Sequence, residues 1–177
     1  MKIKNILRLT ILLAIFVIIN CGSTQPQVKE EPKPEPETST KSTTEFNVND
    51  VNIKLAKLTL EGFAYKGTQI KNEIYGSWVK NSVPVLKELL QKLPPGYILQ
   101  ISGHTDAKGP EEPTGNKEGN IALSEKRAVF VYNALKKYGI DDPAIKYRGL
   151  GSAELKDSNN PNSSVNRRVT FEVISDQ

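Results

Sequence analysis

The sequence predicts an α+β sandwich in which helices pack on a mixed sheet. Two observations lead to this class. Strand-like and helix-like hydrophobic patterns alternate along residues 61–175, and the last of them, "RRVTFEVIS", alternates strictly between apolar and polar residues. The predicted order is β–α–β–α–β–(loop or helix)–β, which is typical of helices covering one sheet. We expect the strands before and after each helix to be parallel neighbours joined by right-handed crossovers.

The first half of the folded region contains two strands and a helix by this interpretation. Residues 46–60 fit neither the strand nor the helix period, so no element is predicted there. A short strand is predicted in "EGFAYKG", residues 61–67. A helix follows in residues 72–93, where Pro84 predicts a kink or the start of a second helix. After "PPG", the β-rich apolar run "YILQISG", residues 97–103, predicts a buried strand.

The second half begins with a helix in residues 120–140, with Gly139 as its stop signal. A strand is predicted in "IKYRGLG", residues 145–151. The final strand, residues 167–175, places three apolar residues on one face: Val169, Phe171 and Val173.

The N-terminus resembles a bacterial lipoprotein signal peptide over residues 1–20. A basic start is followed by the apolar run "LTILLAIFVII" and then by Cys21, the only cysteine. Ile18 and Asn20 depart from the usual lipobox residues, and an ordinary signal peptide or an uncleaved anchor remains the alternative. We expect Cys21 to be lipidated and to hold the chain on a membrane.

Residues 21–45 are predicted to form a disordered tether behind that anchor. They are rich in Pro, Glu, Ser and Thr, and Val28 is their only aliphatic residue. Such a segment buries too little apolar surface to offset its ordering entropy. The predicted organisation is therefore a signal peptide, a lipidated cysteine with its tether, and one folded domain over residues 46–177.

The net charge of +4 does not indicate a nucleic-acid partner. Three of the 24 basic residues lie in the first twenty residues, which hold no acid, so 21 basic residues face 20 acidic ones elsewhere. Because phosphate binding requires a basic face, a near-neutral remainder gives no compositional support for such a partner.

Five segments resemble, in order, the OmpA-like C-terminal domain of the peptidoglycan-associated lipoprotein family: "ISGHTDAKG", "GNIALSEKRAVFVYNAL", "YGI", "YRGLGSAE" and "NRRVTFEV". The resemblance covers roughly residues 60–177, and with the lipobox and tether it is closest to an OmpA-family outer-membrane lipoprotein of the spirochaete type. It implies a βαβαβ(α)β sandwich and non-covalent binding to the diaminopimelate-type peptide stem of peptidoglycan, which would tether the outer membrane to the cell wall.

The resemblance also implies roles for individual residues. Asp106 would receive the ammonium of the diaminopimelate end, and Arg127 would clamp its carboxylate with a bidentate guanidinium. Backbone N–H groups near Asn120 would add further donors. The other matching positions are Thr105, Gly109, Asn120, Leu123 and Ser124 in the loop and helix start, and Asn166, Arg167 and Arg168 at the entry to the last strand.

Two departures from the family pattern stand out. Asp106 and Arg127 are 21 positions apart, farther than is usual in the family, because of the extra loop "PEEPTGNKEG", residues 110–119. This insertion is predicted to cover or reshape the site. The stretch "GFAYKG" also lacks the alternating Phe-Asp-Phe pattern of the family.

Rival functions have less support in the sequence. Ser124, His104 and Asp106 could form a catalytic triad, but no nucleophile elbow or oxyanion-hole motif accompanies them. His104 and Asp106 could bind a metal with Glu111 and Glu112, but no second histidine or cysteine pair exists. We therefore predict no enzyme activity, metal or cofactor. A surface adhesin or antigen that binds host or envelope proteins is the alternative function.

Each site residue also has a purely structural interpretation. Asp106 could form a turn or cap a helix. Arg127 could be a solvated helix residue paired with Glu118 or Glu125. Arg167 and Arg168 could be edge-strand charges that block aggregation.

Overall fold

The structure is a computed structural model that describes residues 46–176. The predicted signal peptide, the lipidation of Cys21 and the tether at 21–45 lie outside the described residues. Within residues 46–176, no helix is both long enough and apolar enough to cross a membrane.

The described part of the chain has the predicted α+β class, with three α-helices and one four-stranded mixed sheet. In chain order the elements are α1 (Val48–Ala56), β1 (Leu60–Glu61), α2 (Asn72–Lys92), β2 (Tyr97–Gly103), α3 (Asn120–Lys137), β3 (Ile145–Gly149), a 3₁₀ turn (Ser164–Asn166) and β4 (Arg168–Ser175).

The strand order in the sheet is β1-β4-β2-β3. β2 and β3 flank α3 and are parallel neighbours, as predicted. The same prediction is wrong for the strands that flank α2, because β4 lies between β1 and β2 and pairs antiparallel with both. β2 pairs with β4 along seven residue pairs, whereas β1 pairs with β4 along only two. The long strand β4 therefore lies next to β2, and the short strand β1 lies at the edge of the sheet.

Residues 46–60, for which no element is predicted, contain all of α1 and the first residue of β1. The side chain of Asn47 caps α1 by accepting from the backbone N–H groups of Asn49 and Asp50, at 3.0 and 3.3 Å. Asn52 lies beside β4, where its amide both donates to and accepts from the backbone of Val173, at 3.0 and 2.7 Å. Its side chain thus provides the strand-like contacts that β1 is too short to make.

Of the strand predicted at 61–67, only Glu61 lies in a strand, because β1 ends there. α2 runs through Pro84 as one helix rather than starting again at that residue. Trp78 attaches α2 to the sheet. Its indole stacks on Phe171 with ring centres 5.8 Å apart, and its indole N–H donates to the carbonyl of Leu58 at 2.8 Å.

The helix α3 starts in close contact with the ends of two strands, because both strands end in glycine. A Cβ atom at Gly103 would overlap the carbonyl oxygen of Ser124, and one at Gly149 would overlap that of Ile121. The buried faces of β2, β4 and α3 meet in the core, which includes Leu99, Ile101, Val131, Leu135 and Val169. This close packing brings the loop that leaves β2 alongside the first turns of α3.

Candidate functional site

A cavity of about 480 Å³ opens where the chain leaves β2. Four parts of the chain line it: the turn after β1, the loop after β2 with its insertion, the first turns of α3, and the entry to β4. The lining residues are Tyr65, Lys66, Thr105, Asp106, Lys108, Gly109, Pro110, Asn116, Lys117, Glu118, Asn120, Leu123, Arg127 and Arg167.

Asp106 is 2 % exposed and lines this cavity. One carboxylate oxygen lies 2.6 Å from Nη1 of Arg167, and the other accepts from the backbone N–H of Lys108 at 3.2 Å. Arg167 also donates from Nε to the carbonyl of Phe63 at 2.8 Å. The carboxylate and guanidinium are therefore fixed to each other and to the turn after β1.

Arg127 is fully buried, and its guanidinium binds three backbone carbonyls. Nε donates to Gly67 at 2.8 Å, Nη1 to His104 at 2.7 Å and Nη2 to Ala64 at 3.2 Å. A guanidinium has five N–H groups. Among the bonds within residues 46–176, one N–H on each terminal nitrogen of Arg127 remains for a ligand.

Burial and, to a smaller extent, the nearby charge of Arg167 lower the pKa of Arg127 to about 10, an effect that Asp106 opposes. Arg127 therefore stays protonated at neutral pH. The cavity lining thus contains one buried carboxylate and two charged guanidinium groups.

Thr105 adds an unused polar group to the same lining. Its backbone N–H donates to Gly151 at 2.8 Å, but its hydroxyl, in a residue only 1 % exposed, has no hydrogen-bond partner among the described residues. A buried hydroxyl without a partner is costly, and a hydrogen bond to a ligand group would remove that cost.

Seven of the ten predicted ligand-binding residues meet at the cavity: Thr105, Asp106, Gly109, Asn120, Leu123, Arg127 and Arg167. The structure does not bring Ser124, Asn166 or Arg168 there, and each is buried in a structural role. The Ser124 hydroxyl accepts from the backbone N–H of Gly151 at 2.9 Å and donates to the carbonyl of Ile121 at 2.8 Å.

Asn166 and Arg168 organise the loop before β4 instead. The Asn166 side chain accepts from the backbone N–H of Asp157 at 2.9 Å and donates to Pro161 at 3.1 Å. Arg168 donates to the carbonyl of Glu154 at 3.0 Å. Both polar side chains are thus used to hold chain segments in place.

The insertion also changes the start of α3. The backbone N–H groups of Asn120 and Ile121 donate to the carbonyls of Pro110 and Glu111, at 2.8 and 3.2 Å. The prediction that these helix N-terminal groups are available to a ligand is therefore wrong for these two residues, because the insertion occupies them.

Glu111 attaches the insertion to the rest of the domain. Its carboxylate accepts from Nδ2 of Asn120 at 3.1 Å and from the backbone N–H and the hydroxyl of Ser152. Burial opposes ionisation, but the hydrogen bonds from Ser152 and Asn120 outweigh it and lower the pKa of Glu111. The anchored loop contributes Asn116, Lys117 and Glu118 to the cavity wall, so the loop forms part of the site.

Sequence reasoning missed the contribution of the turn after β1. Tyr65 and Lys66 line the cavity, and Nζ of Lys66 and of Lys108 each lie 5.5 Å from the centre of the Tyr65 ring. Lys66 has a left-handed backbone with φ of 57°, and Gly67 donates to the carbonyl of Ala64 at 2.9 Å. Gly67 is the one residue in this turn whose type could have indicated a turn, since glycine inside a strand pattern often marks a break in it.

The groups considered for catalysis are not assembled. Nε2 of His104 lies 2.9 Å from Oγ1 of Thr170, Asp106 pairs with Arg167, and the Ser124 hydroxyl is bound to backbone groups. Within the described residues, no group of three His, Cys, Asp or Glu side chains is placed to hold a metal ion.

Comparisons with known proteins agree with this architecture. The sequence model of the OmpA family matches residues 62–168. The crystal structure of the peptidoglycan-associated lipoprotein from Burkholderia pseudomallei is 26% identical, with a TM-score of 0.53 over 72% of this chain and 98% of that one.

Two curated proteins also match. The peptidoglycan-associated lipoprotein of Legionella pneumophila is 33% identical over 45% of this chain and 43% of its own length. The putative truncated flagellar export/assembly protein LafU of Escherichia coli strain K12 is 32% identical over 52% of this chain and 45% of its own length. The matches thus span less than half the length of these two relatives.

Proposed function

Because the chain belongs to the OmpA family, we propose that its folded domain binds the diaminopimelate end of a peptidoglycan peptide stem in the cavity beside Asp106. Binding is non-covalent and involves no catalysis. The observation that carries the proposal is the presence of one buried carboxylate and two guanidinium groups in the lining of a single cavity.

The free end of diaminopimelate carries an ammonium and a carboxylate on one carbon, so it needs an acid and a cation close together. Asp106 accepts the ammonium while it keeps its contact with Arg167. The two N–H groups of Arg127 that its backbone contacts leave free, together with the hydroxyl of Thr105, bind the carboxylate. Charged hydrogen bonds in a largely buried site are the strong ones.

The relatives support the same ligand class, since the names of the Burkholderia and Legionella proteins describe them as peptidoglycan-associated. We further propose that Cys21 carries the lipid of an outer-membrane lipoprotein. Residues 21–45 then act as the spacer between the membrane and the wall-bound domain. Incorporation of labelled palmitate into the wild-type chain and its loss in Cys21→Ala tests this anchor.

Co-sedimentation with insoluble peptidoglycan tests the binding site. The full chain in mild detergent is mixed with purified peptidoglycan, and the bound fraction is compared for the wild type, Asp106→Asn and the matched control Asp141→Asn. Asp141 is an exposed acid whose only ion pair in the described structure is with Lys136. We expect Asp106→Asn to weaken binding about ten-fold or more, since it removes the charge of a hydrogen-bonded acid, and Asp141→Asn to bind as the wild type does.

Competition tests the choice of diaminopimelate. Free meso-diaminopimelate should release the bound chain, whereas Nα-acetyl-lysine amide, which has a side-chain ammonium but no free carboxylate, should release it poorly. Equal release by both would contradict the zwitterion site. Equal retention of Asp106→Asn and the wild type would contradict the role of Asp106.

A further inference from the structure

The cavity carries more positive charge than a diaminopimelate end requires. Its lining includes five cationic side chains and two anionic ones. Asp106 is paired with Arg167, and Glu118 is paired with Lys126, which does not line the cavity. Four cations remain, and Arg127 is bound to backbone carbonyls. Within residues 46–176, the three lysines of the lining form no ion pair: Lys66, Lys108 and Lys117.

The backbone of Lys66 is held at the cavity by Arg127. Arg127 binds the carbonyls of Ala64 and Gly67, which are the two ends of the turn that contains Lys66. The buried guanidinium of Arg127 therefore holds the turn in place, and Lys66 on that turn is exposed.

Lys108 and Lys117 are fixed by separate contacts. The backbone N–H of Lys108 donates to the carboxylate of Asp106 at 3.2 Å. Lys117 pairs with Thr114 through two backbone hydrogen bonds of 3.1 Å at the tip of the insertion. All three lysines are exposed, so their ammonium groups are accessible at the rim.

We propose that Lys66, Lys108 and Lys117 form a carboxylate subsite that selects peptide stems with a free carboxylate next to the diaminopimelate residue over stems in which that group is amidated. The inference rests on the proposed function, which it deepens. We call these three residues the lysine rim.

The chemistry of the stem fits this arrangement. The diaminopimelate end has no net charge, and Asp106 with the two arginines already complements it. The glutamate residue before diaminopimelate is linked through its side-chain carboxyl, so its α-carboxylate is a free anion unless the cell converts it to an amide. A cavity of about 480 Å³ lies within the range of small-molecule sites, about 300–1,000 Å³, and has room for this neighbouring residue.

Isothermal titration of the full chain in mild detergent tests the lysine rim. The probes are two synthetic tripeptides that end in meso-diaminopimelate and differ only in a free or amidated glutamate α-carboxyl. The variants are Lys66→Gln/Lys108→Gln/Lys117→Gln and a control with the same change in charge, Lys80→Gln/Lys87→Gln/Lys146→Gln, whose lysines are exposed and lie outside the cavity lining.

We expect the wild type and the control to bind the free tripeptide about five-fold more tightly than the amidated one, with the difference shrinking in high salt, as for exposed ion pairs. The rim variant should bind both tripeptides with the affinity that the wild type has for the amidated form.

Equal affinity of the wild type for the two tripeptides, or an unchanged preference in the rim variant, would overturn the lysine rim and leave the diaminopimelate site intact. Failure of the wild type to bind either tripeptide would overturn the proposed function and the rim with it.

Discussion

The carboxylate of Asp106 lies 2.6 Å from Nη1 of Arg167, while Arg127, the arginine expected to share its ligand, is bound to three backbone carbonyls. The two arginines therefore differ in what they do before a ligand arrives. Arg167 holds the acid of the site, and Arg127 holds the turn and the strand exit that form its walls. Both still line the cavity.

Arg167→Gln should lower the free energy of unfolding by about 2–3 kcal/mol. The change leaves the 2 %-exposed carboxylate of Asp106 without its ion pair and weakens the contact to the carbonyl of Phe63. Urea unfolding monitored by circular dichroism measures the change. Lys92→Gln is the control, because Lys92 pairs with Glu88 on the surface and its loss should cost no more than about 0.5 kcal/mol. Similar losses in both variants would contradict a buried role for the Asp106 pair.

Arg127→Lys should destabilise the domain by about 3 kcal/mol even though it keeps the positive charge. A single ammonium cannot span the carbonyls of Ala64, Gly67 and His104, so buried acceptors lose their donors. The midpoint of thermal unfolding measures this loss.

A measurement of peptidoglycan binding by Arg127 variants must therefore be made at a temperature where they are folded. If Arg127→Lys unfolded at the same temperature as the wild type, the three carbonyl contacts would carry little of the stability assigned to them.

The sequence predicted the part of the fold that has strong local signals. The strand at 97–103 and the start of the helix at 120 were found at their observed boundaries, because a β-rich run between turn residues and a helical apolar stripe are both visible in short windows. α1 was not predicted because the exposed Ile53 interrupts the helical spacing of Val48, Val51 and Leu55, the residues that pack on the core. The pairing of β1 with β4 was not predicted, because the partner strand lies more than a hundred residues away in the chain and no local pattern indicates it.

The residues of the candidate site were predicted in part, but their contacts were not. Family resemblance gave Asp106 and the two arginines, but no pattern in the sequence indicates which arginine the acid contacts, since Arg167 is farther along the chain than Arg127. The contributions of Tyr65 and Lys66 depend on a left-handed turn, which the strand-like composition of the segment concealed.

Glu111→Gln should loosen the insertion without unfolding the domain, at a cost of about 1 kcal/mol. The amide accepts the hydrogen bonds from Asn120 and Ser152 less strongly than the carboxylate does. Hydrogen exchange of the backbone N–H groups of Asn120 and Ile121, which the insertion binds, should accelerate.

The same contact should depend on pH in a known direction. The folded-state pKa of Glu111 is lowered, so its contribution is complete above the ordinary value of 4.5 and is lost as the pH falls through the folded-state value. Exchange at Asn120 in the wild type should approach that of Glu111→Gln in acid. The exposed neighbour Glu112 provides the control. Faster exchange in Glu112→Gln would show that the charge of the loop, rather than the hydrogen bonds of Glu111, protects these N–H groups.

His104 should make the stability of the domain depend on pH below neutrality. Burial, followed by the charges of Arg168 and Arg148, lowers the pKa of His104 from 6.5 to about 3. The folded state therefore keeps this ring neutral while the unfolded chain takes up a proton. Its contribution is complete above about pH 6.5 and declines as the pH falls toward 3, by at most about 1.4 kcal/mol for each pH unit.

His104→Gln isolates this contribution from that of the carboxylates, which titrate in both proteins. At about pH 7.5 the variant should be less stable, by about 1 kcal/mol, because the contact with Thr170 is weakened. At about pH 5 the difference should shrink or reverse, since only the wild type gains a proton at position 104 on unfolding. Urea unfolding of both proteins across this range measures the difference, and a gap that stays constant with pH would mean that His104 is protonated in the folded state as readily as in the unfolded chain.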